Sequence, residues 1–197
     1  MRKAIMSIPI TLDGVIEGPN HELDWVIADD ELHDFYSELL SNADLIFYGR
    51  ITYELMANYW PSATSDNSLP KGMARFANAL NPMQKIVFSK TLENVGWNTQ
   101  ISKAIDPDEI KRLKSQPGRD LLLGGGASIT QTFLQNGLVD EFRLLVHPVL
   151  LGKGKSLFMG ISETLKMEFL SKQPLRTGVI ALCYRPDGKV DSHPVPL

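Results

Sequence analysis

Cysteine is almost missing from this 197-residue chain: Cys183 is the only one. A single thiol excludes an intrachain disulfide framework and any cysteine-rich zinc site, and a reducing, cytoplasmic setting is expected. Cys183 sits in the apolar run from Val179 to Tyr184 and reads as a core residue. Histidine is scarce too, and His21, His33, His147 and His193 show no H-x-x-x-H spacing, so no metal site is expected. No stretch approaches the roughly 18 consecutive apolar residues of a membrane helix. The apolar run after Met1, Arg2 and Lys3 is broken by Pro9 and Asp13 and has no signal-peptide cleavage pattern. A dense charge of one sign is also lacking. The net charge of −3 gives no basic surface for nucleic acid. Repeats, low-complexity tracts and an interdomain linker are absent.

What is present is a globular composition, 43% hydrophobic and 22% charged. The length suits one domain with a buried core, expected over residues 1–186, followed by a polar, proline-bearing tail over 187–197. Ala4 to Ile10 reads as a buried strand, and Thr11 to Asn20 as a mobile loop. Leu32, Phe35, Tyr36, Leu39 and Leu40 recur at helical spacing behind Asp29, Asp30 and Glu31, acids that suit the positive end of a helix. Asp44 to Gly49 is a strand, and a helix is expected from Arg50 to Tyr59. Trp60 and Pro61 open a polar loop through Ser68, and another helix begins at Pro70. Lys85 to Ser89 is a strand. Asp106, Pro107 and Glu109 make a helix start. Asp120 to Gly124 is a strand, and Ala127 to Asn136 a helix ending before Gly137. Glu141 to Leu151, Thr164 to Leu170 and Val179 to Tyr184 are further strands. Strands alternate with helices and then dominate the end. The class is α/β, with a mixed, mostly parallel sheet and an antiparallel edge.

Three strand ends carry candidate chemistry. Leu123 runs into Gly124, Gly125 and Gly126 and then a helix beginning Ala127, Ser128, Ile129. Glycines let backbone approach a ligand, and a helix start offers unpaired N–H groups to a phosphate. The spacing is neither G-x-G-x-x-G nor a P-loop. Gly49, Arg50, Thr52 and Tyr53 form a second strand-to-helix turn with a guanidinium and a hydroxyl. Ser89, Lys90 and Thr91 end a third strand. All three lie where open α/β sheets bind ligands. A dinucleotide with an extra 2′-phosphate, NADPH, matches that layout of charge.

The order Gly49-Arg-x-Thr52, Ser89-Lys90, Gly124 to Gly126 resembles dihydrofolate reductase. Leu12-Asp-Gly-Val-Ile-Glu-Gly18, Gly137-Leu-Val-Asp-Glu-Phe142, Pro148 and Leu151-Gly-Lys-Gly154 are closer still to the riboflavin biosynthesis reductases, the RibD C-terminal domain family. The resemblance runs from Lys3 to Tyr184. It implies a dihydrofolate reductase-like three-layer fold, with a central sheet of about eight strands flanked by helices. It implies that Gly49, Arg50, Thr52, Tyr53, Ser89 and Lys90 hold the 2′-phosphate side of NADPH. Gly125, Gly126, Ala127, Ser128 and Ile129 would hold the pyrophosphate, and Pro9, Ile16 and Glu17 would lie near the nicotinamide. Asp13, Trp25 and Asp30 are the expected substrate contacts, and a homodimer is expected from the family and the apolar strand Phe142 to Leu151.

Two departures narrow the substrate. Gly124 aligns where riboflavin-pathway reductases usually carry a substrate-contacting acid. Dihydrofolate reductases carry an acid in their first long helix, and counting back from Gly49 lands nearer His33 than Asp30. The zinc deaminase domain often fused to riboflavin reductases has no cysteine cluster here. The expected reaction is hydride transfer from NADPH to a small pterin- or pyrimidine-like heterocycle, resembling 5-amino-6-(5-phosphoribosylamino)uracil reductase. Asp30 is the expected proton donor, with Asp24 and Glu31 behind it, or an ordered water. The alternatives are a nucleotide-binding protein without turnover and a flavin-binding oxidoreductase.

Overall fold

A computed structural model describes residues 1–159, 161 and 164–188. His193 and most of the expected tail lie outside the described residues. Strand β1 (Ala4–Thr11) is buried along nearly its whole length, as its continuous apolar run requires. The short β2 (Val15–Glu17) follows, then helix α1 (Asp30–Ser41) and β3 (Ala43–Gly49). Asp29 caps α1 by accepting the Leu32 N–H at 2.9 Å, while Asp30 and Glu31 occupy the first turn.

The helix expected from Arg50 to Tyr59 is α2 (Arg50–Ala57) and stops two residues early. Pro61 then sits inside a separate short helix, α3 (Trp60–Ala63), instead of opening a loop. Proline is tolerated there because a first-turn N–H has no intrahelical partner to lose. Helix α4 (Lys71–Leu80), strands β4 (Gln84–Phe88) and β5 (Thr99–Ser102) and helix α5 (Pro107–Ser115) come next. The remaining elements are β6 (Asp120–Leu123), α6 (Ala127–Gln135), β7 (Glu141–His147), β8 (Lys155–Ser156), β9 (Met167–Pro174) and β10 (Ile180–Pro186). The last long strand pair therefore starts later than its apolar residues suggest, because Thr164 to Lys166 precede β9.

Eight strands form one sheet in the order β5-β4-β3-β6-β1-β7-β10-β9. The first six are parallel, and β10 runs antiparallel to both of its neighbours, β7 and β9. Buried residues of α1, α2 and α4 pack on one face, with Leu39, Leu40, Tyr53, Phe76 and Leu80 in one cluster. Ile110 of α5 and Ile129 and Phe133 of α6 pack on the other. The fold is the dihydrofolate reductase-like α/β class.

The loop expected to be mobile after β1 is tied down. β2 pairs with β8, Leu12 N–H donates to Val149 O at 2.9 Å, and Leu157 N–H donates to Gly14 O at 3.0 Å. Gly154, at φ +129°, lies so close to Glu17 that an added Cβ would meet its carbonyl oxygen at 2.3 Å. Cys183 is half-buried, not a core residue: its thiol lies on Glu141 at 3.2 Å, and burial pushes it up.

Candidate functional site

β6 lies between β3 and β1, yet its connection leaves towards α6 on one face, while those of β3 and β1 leave towards α2 and α1 on the other. Diverging connections open a crevice at the carboxyl ends of these strands, where doubly wound sheets take their ligands. Two glycine turns meet in that crevice. Gly49 ends β3 and starts α2, and Gly126 starts α6, and neither helix start has a side-chain cap. Gly125 and Gly126 adopt φ of +110° and +97°, a conformation side chains rarely take. A Cβ on Gly126 would stand 3.6 Å from Gly49 Cα and 3.3 Å from the Thr52 hydroxyl, so the two turns face each other. Two sets of unpaired N–H groups and two positive dipole ends thus point at one space, an arrangement made for an anion.

The side chains around this space differ in how free they are. Arg50 is held by Glu54 at 2.8 Å, an exposed pair of the kind that contributes little to stability and can exchange for a phosphate. Lys90 is exposed and has no partner among the described residues. Ser89 is buried at the end of β4, where its hydroxyl accepts the N–H groups of Thr91 and Leu92 at 3.2 and 3.0 Å. Ser128 is exposed on the first turn of α6, while Ala127 and Ile129 are buried beneath it. Tyr53 is placed elsewhere: it is buried, and its hydroxyl is bonded to the Gly96 backbone at 3.2 Å, which removes it from the cradle.

On the β1 side, Pro9 stands opposite Leu145 of β7 and is half-buried. Ile16 is core. Glu17 is flanked by His21 Nδ1 at 3.0 Å and Lys155 Nζ at 3.6 Å. Asp13 ties the loops together: its carboxylate accepts from Thr11 Oγ1 at 2.5 Å and from the Leu151 and Gly152 N–H groups at 3.3 and 2.6 Å. The Thr11 hydroxyl leads these bonds in holding its pKa below the usual range. Trp25 is half-buried edge-on to His147, with ring centroids 5.4 Å apart. His147 is fully buried, and burial pushes its imidazole down. Asp30 does not stand free in the crevice either. Its carboxylate accepts the Gly72 N–H at 2.9 Å and so serves the start of α4. Glu31 accepts the Arg176 N–H at 2.8 Å, and Asp24 is exposed.

A cavity of about 590 Å³ lies at the opposite edge, lined by Arg2, Lys3, Glu141 and Arg185 at the starts of β1 and β7 and the end of β10. Its charges are already paired, Arg2 with Asp44, Lys3 with Glu141 and Arg185 with Glu168, and it is remote from the glycine turns.

Residues 2–181 match the family model described as the RibD C-terminal domain. The chain belongs to the RibD C-terminal domain family. It is 35% identical over 187 residues to the uncharacterised protein YyaP of Bacillus subtilis (strain 168), covering 95% of this chain and 96% of that protein. Its fold is similar to a protein designated for riboflavin biosynthesis from Shewanella sp. PV-4, with a TM-score of 0.73 and 23% identity, covering 94% of this chain and 99% of that one. It is also similar to dihydrofolate reductase from Enterococcus faecalis, solved with NADP(H), at a TM-score of 0.60 and 16% identity, covering 94% and 96%.

In this RibD C-terminal domain, two further residues stand at the carboxyl edge of the sheet, one of them His33, towards which the count back from Gly49 pointed. Tyr48, next to last in β3, lies beside Gly124, and a Cβ on Gly124 would meet its ring at 2.5 Å. The tyrosine therefore fills the space into which a side chain at 124 would project. Its phenol is pushed up by burial and stays protonated. The second is His33, buried in the first turns of α1 beside the packed rings of Trp60 and Phe76, with ring centroids 6.1 and 5.8 Å away.

Proposed function

We propose that this protein is an NADPH-dependent reductase of a small, flat heterocycle of the pterin or pyrimidine type. The observation that carries the reading is the pair of uncapped glycine helix starts, Gly49 and Gly126, facing each other at the switch point of the sheet. Gly125, Gly126 and the first turn of α6 would hold the pyrophosphate. Arg50, Thr52, Ser89 and Lys90 would take the 2′-phosphate side, and Pro9, Ile16 and Glu17 would border the nicotinamide. The bound cofactor supplies the hydride, and the protein supplies position and polarity. Tyr48, packed in the core against Gly124, leaves no room for an acid at that position. That supports a heterocycle resembling the substrate of 5-amino-6-(5-phosphoribosylamino)uracil reductase in its ring and not in its charged substituents.

A second reading, cofactor binding without turnover, draws on the engagement of Asp30 by Gly72. The test separates the two. Calorimetric titration should give tight binding of NADPH and weak binding of NADH, and Arg50→Ala or Lys90→Ala should weaken NADPH about tenfold while sparing NADH, the worth of one charge-assisted contact. Equal loss for both cofactors would sink the phosphate assignment. Oxidation of NADPH by a panel of pterins, pyrimidines and quinones then distinguishes an enzyme from a binder. Action in the reducing cytoplasm is part of the proposal.

A further inference from the structure

We infer that His33, and not an acid of the helix start, is the proton donor of the reductase; this rests on the reading above. Parallel strands of the sheet return through α1, so the first turns of α1 stand at the carboxyl edge, level with the crevice. A reduction by hydride needs a proton from that neighbourhood. Every carboxylate of those turns is already committed. Asp29 accepts the Leu32 N–H, Asp30 the Gly72 N–H and Glu31 the Arg176 N–H, and Asp34 is paired with Arg75. Each of these bonds ties its carboxylate to a neighbouring element or cap and draws it away from open space.

His33 differs. Its Nδ1 lies 2.7 Å from the Asp29 carbonyl oxygen, which can only accept, so Nδ1 carries a proton. Nε2 is left with no hydrogen bond among the described residues. The fixed tautomer makes Nε2 the one atom of the turn that can take a proton from solvent and pass it on. The rings of Trp60 from α3 and Phe76 from α4, packed on each other with centroids 4.5 Å apart, lie beside it and bring no charge. The charges around it are Asp29 and Asp30 at its own helix start and the Asp34–Arg75 pair that joins α1 to α4. When hydride adds to the carbon of a C=N bond, the π pair moves to nitrogen. That nitrogen takes the proton from Nε2 of the His33 imidazolium, the new N–H bond forms, and neutral imidazole remains to be reprotonated by water.

The test uses the full chain and His33→Asn, whose side-chain amide keeps a donor for the Asp29 carbonyl but carries no transferable proton; His33→Gln is the second variant should the first not fold. NADPH binding is measured first, by calorimetry. The ring-nitrogen resonances of His33 are then followed while pterin, and separately 5-aminouracil, is added. The expected result is unchanged NADPH affinity in the variant and a moved Nε2 resonance in the wild type. Hydride transfer to pterins and quinones should fall about 100-fold in the variant, in the range of a lost general acid. The wild-type rate should decline as pH rises, and the variant should lack that decline. A variant that keeps the decline, a His33 resonance that moves with neither probe, or no hydride transfer by the wild type to any acceptor would each overturn the inference while leaving the cofactor site standing. Failure of the wild type to bind NADPH would overturn the cofactor reading and this inference with it.

Discussion

Gly124 shows how far one side chain can decide a site. A Cβ there would lie 2.5 Å from Tyr48 Cε1 and 2.8 Å from Ile46 Cγ2, closer than real contacts allow. Gly124→Asp should therefore destabilise the fold by about 2–4 kcal/mol, from overpacking and an unpaired carboxylate. Adding Tyr48→Ala should return a good part of that loss, because the two residues share one volume. Urea midpoints of the two single variants and the double variant measure the coupling, and simple additivity would refute the shared space. The glycine turns were legible in the sequence because their requirement is local: positive φ and close backbone approach call for glycine wherever they occur. The commitments of Asp30, Asp13 and Tyr53 were not. Their partners Gly72, Gly152 and Gly96 lie far along the chain, Thr11 beside Asp13 excepted, and nothing in the residues themselves announces the pairing.

Helix α4 gathers both of its termini from outside itself. Pro70 offers no side-chain cap, and Asp30 of α1 supplies one at Gly72; an added Cβ on Gly72 would meet Asp30 Cα at 2.7 Å, so the two elements touch closely. Asp30→Ala should cost about 1 kcal/mol, the usual worth of a cap, with hydride transfer little changed. At the other end the fully buried Lys85 donates to the carbonyls of Leu80, Met83 and Asn81 and lies 4.2 Å over the Trp97 ring. Lys85→Met should lose about 1–3 kcal/mol at pH 7, because three carbonyls are left without their donor. Burial pulls the Lys85 ammonium from 10.5 to about 8. A folded value below the unfolded one means that the unfolded chain holds the proton longer, so the penalty is full below pH 8 and fades as pH climbs to 10.5. The wild type should gain stability over Lys85→Met across that window, as denaturant titrations at stepped pH would record. Among the strands, β1, β3 and β6 were readable as apolar runs. β5, with Thr99, Gln100 and Ser102, was not, since an edge strand has only one neighbour and little need of apolar residues. β2 and β8 are too short to show any alternation.

The molecule as a whole is covered unevenly. Helices shield the sheet around β3, β6 and β1, but β9 is exposed along nearly its whole length, with Phe169 53% and Ile180 of β10 40% accessible. An apolar, uncovered sheet face of this kind is usually an association surface. We expect a homodimer through it, and sedimentation should show Phe169→Asp combined with Ile180→Lys as a monomer; an unchanged mass would place any dimer contact elsewhere. The described loops are uneven in the opposite sense. The segments 11–18 and 148–157 are laced together by Asp13, the β2–β8 pairing and the Gly154–Glu17 approach, whereas 64–70 bonds only within itself and to Ser62, Ala63 and Ala74 next to it in the chain. A protease needs several residues of pliable backbone in its cleft, so limited digestion should nick the connection between α3 and α4 first and leave the strap beside the crevice whole.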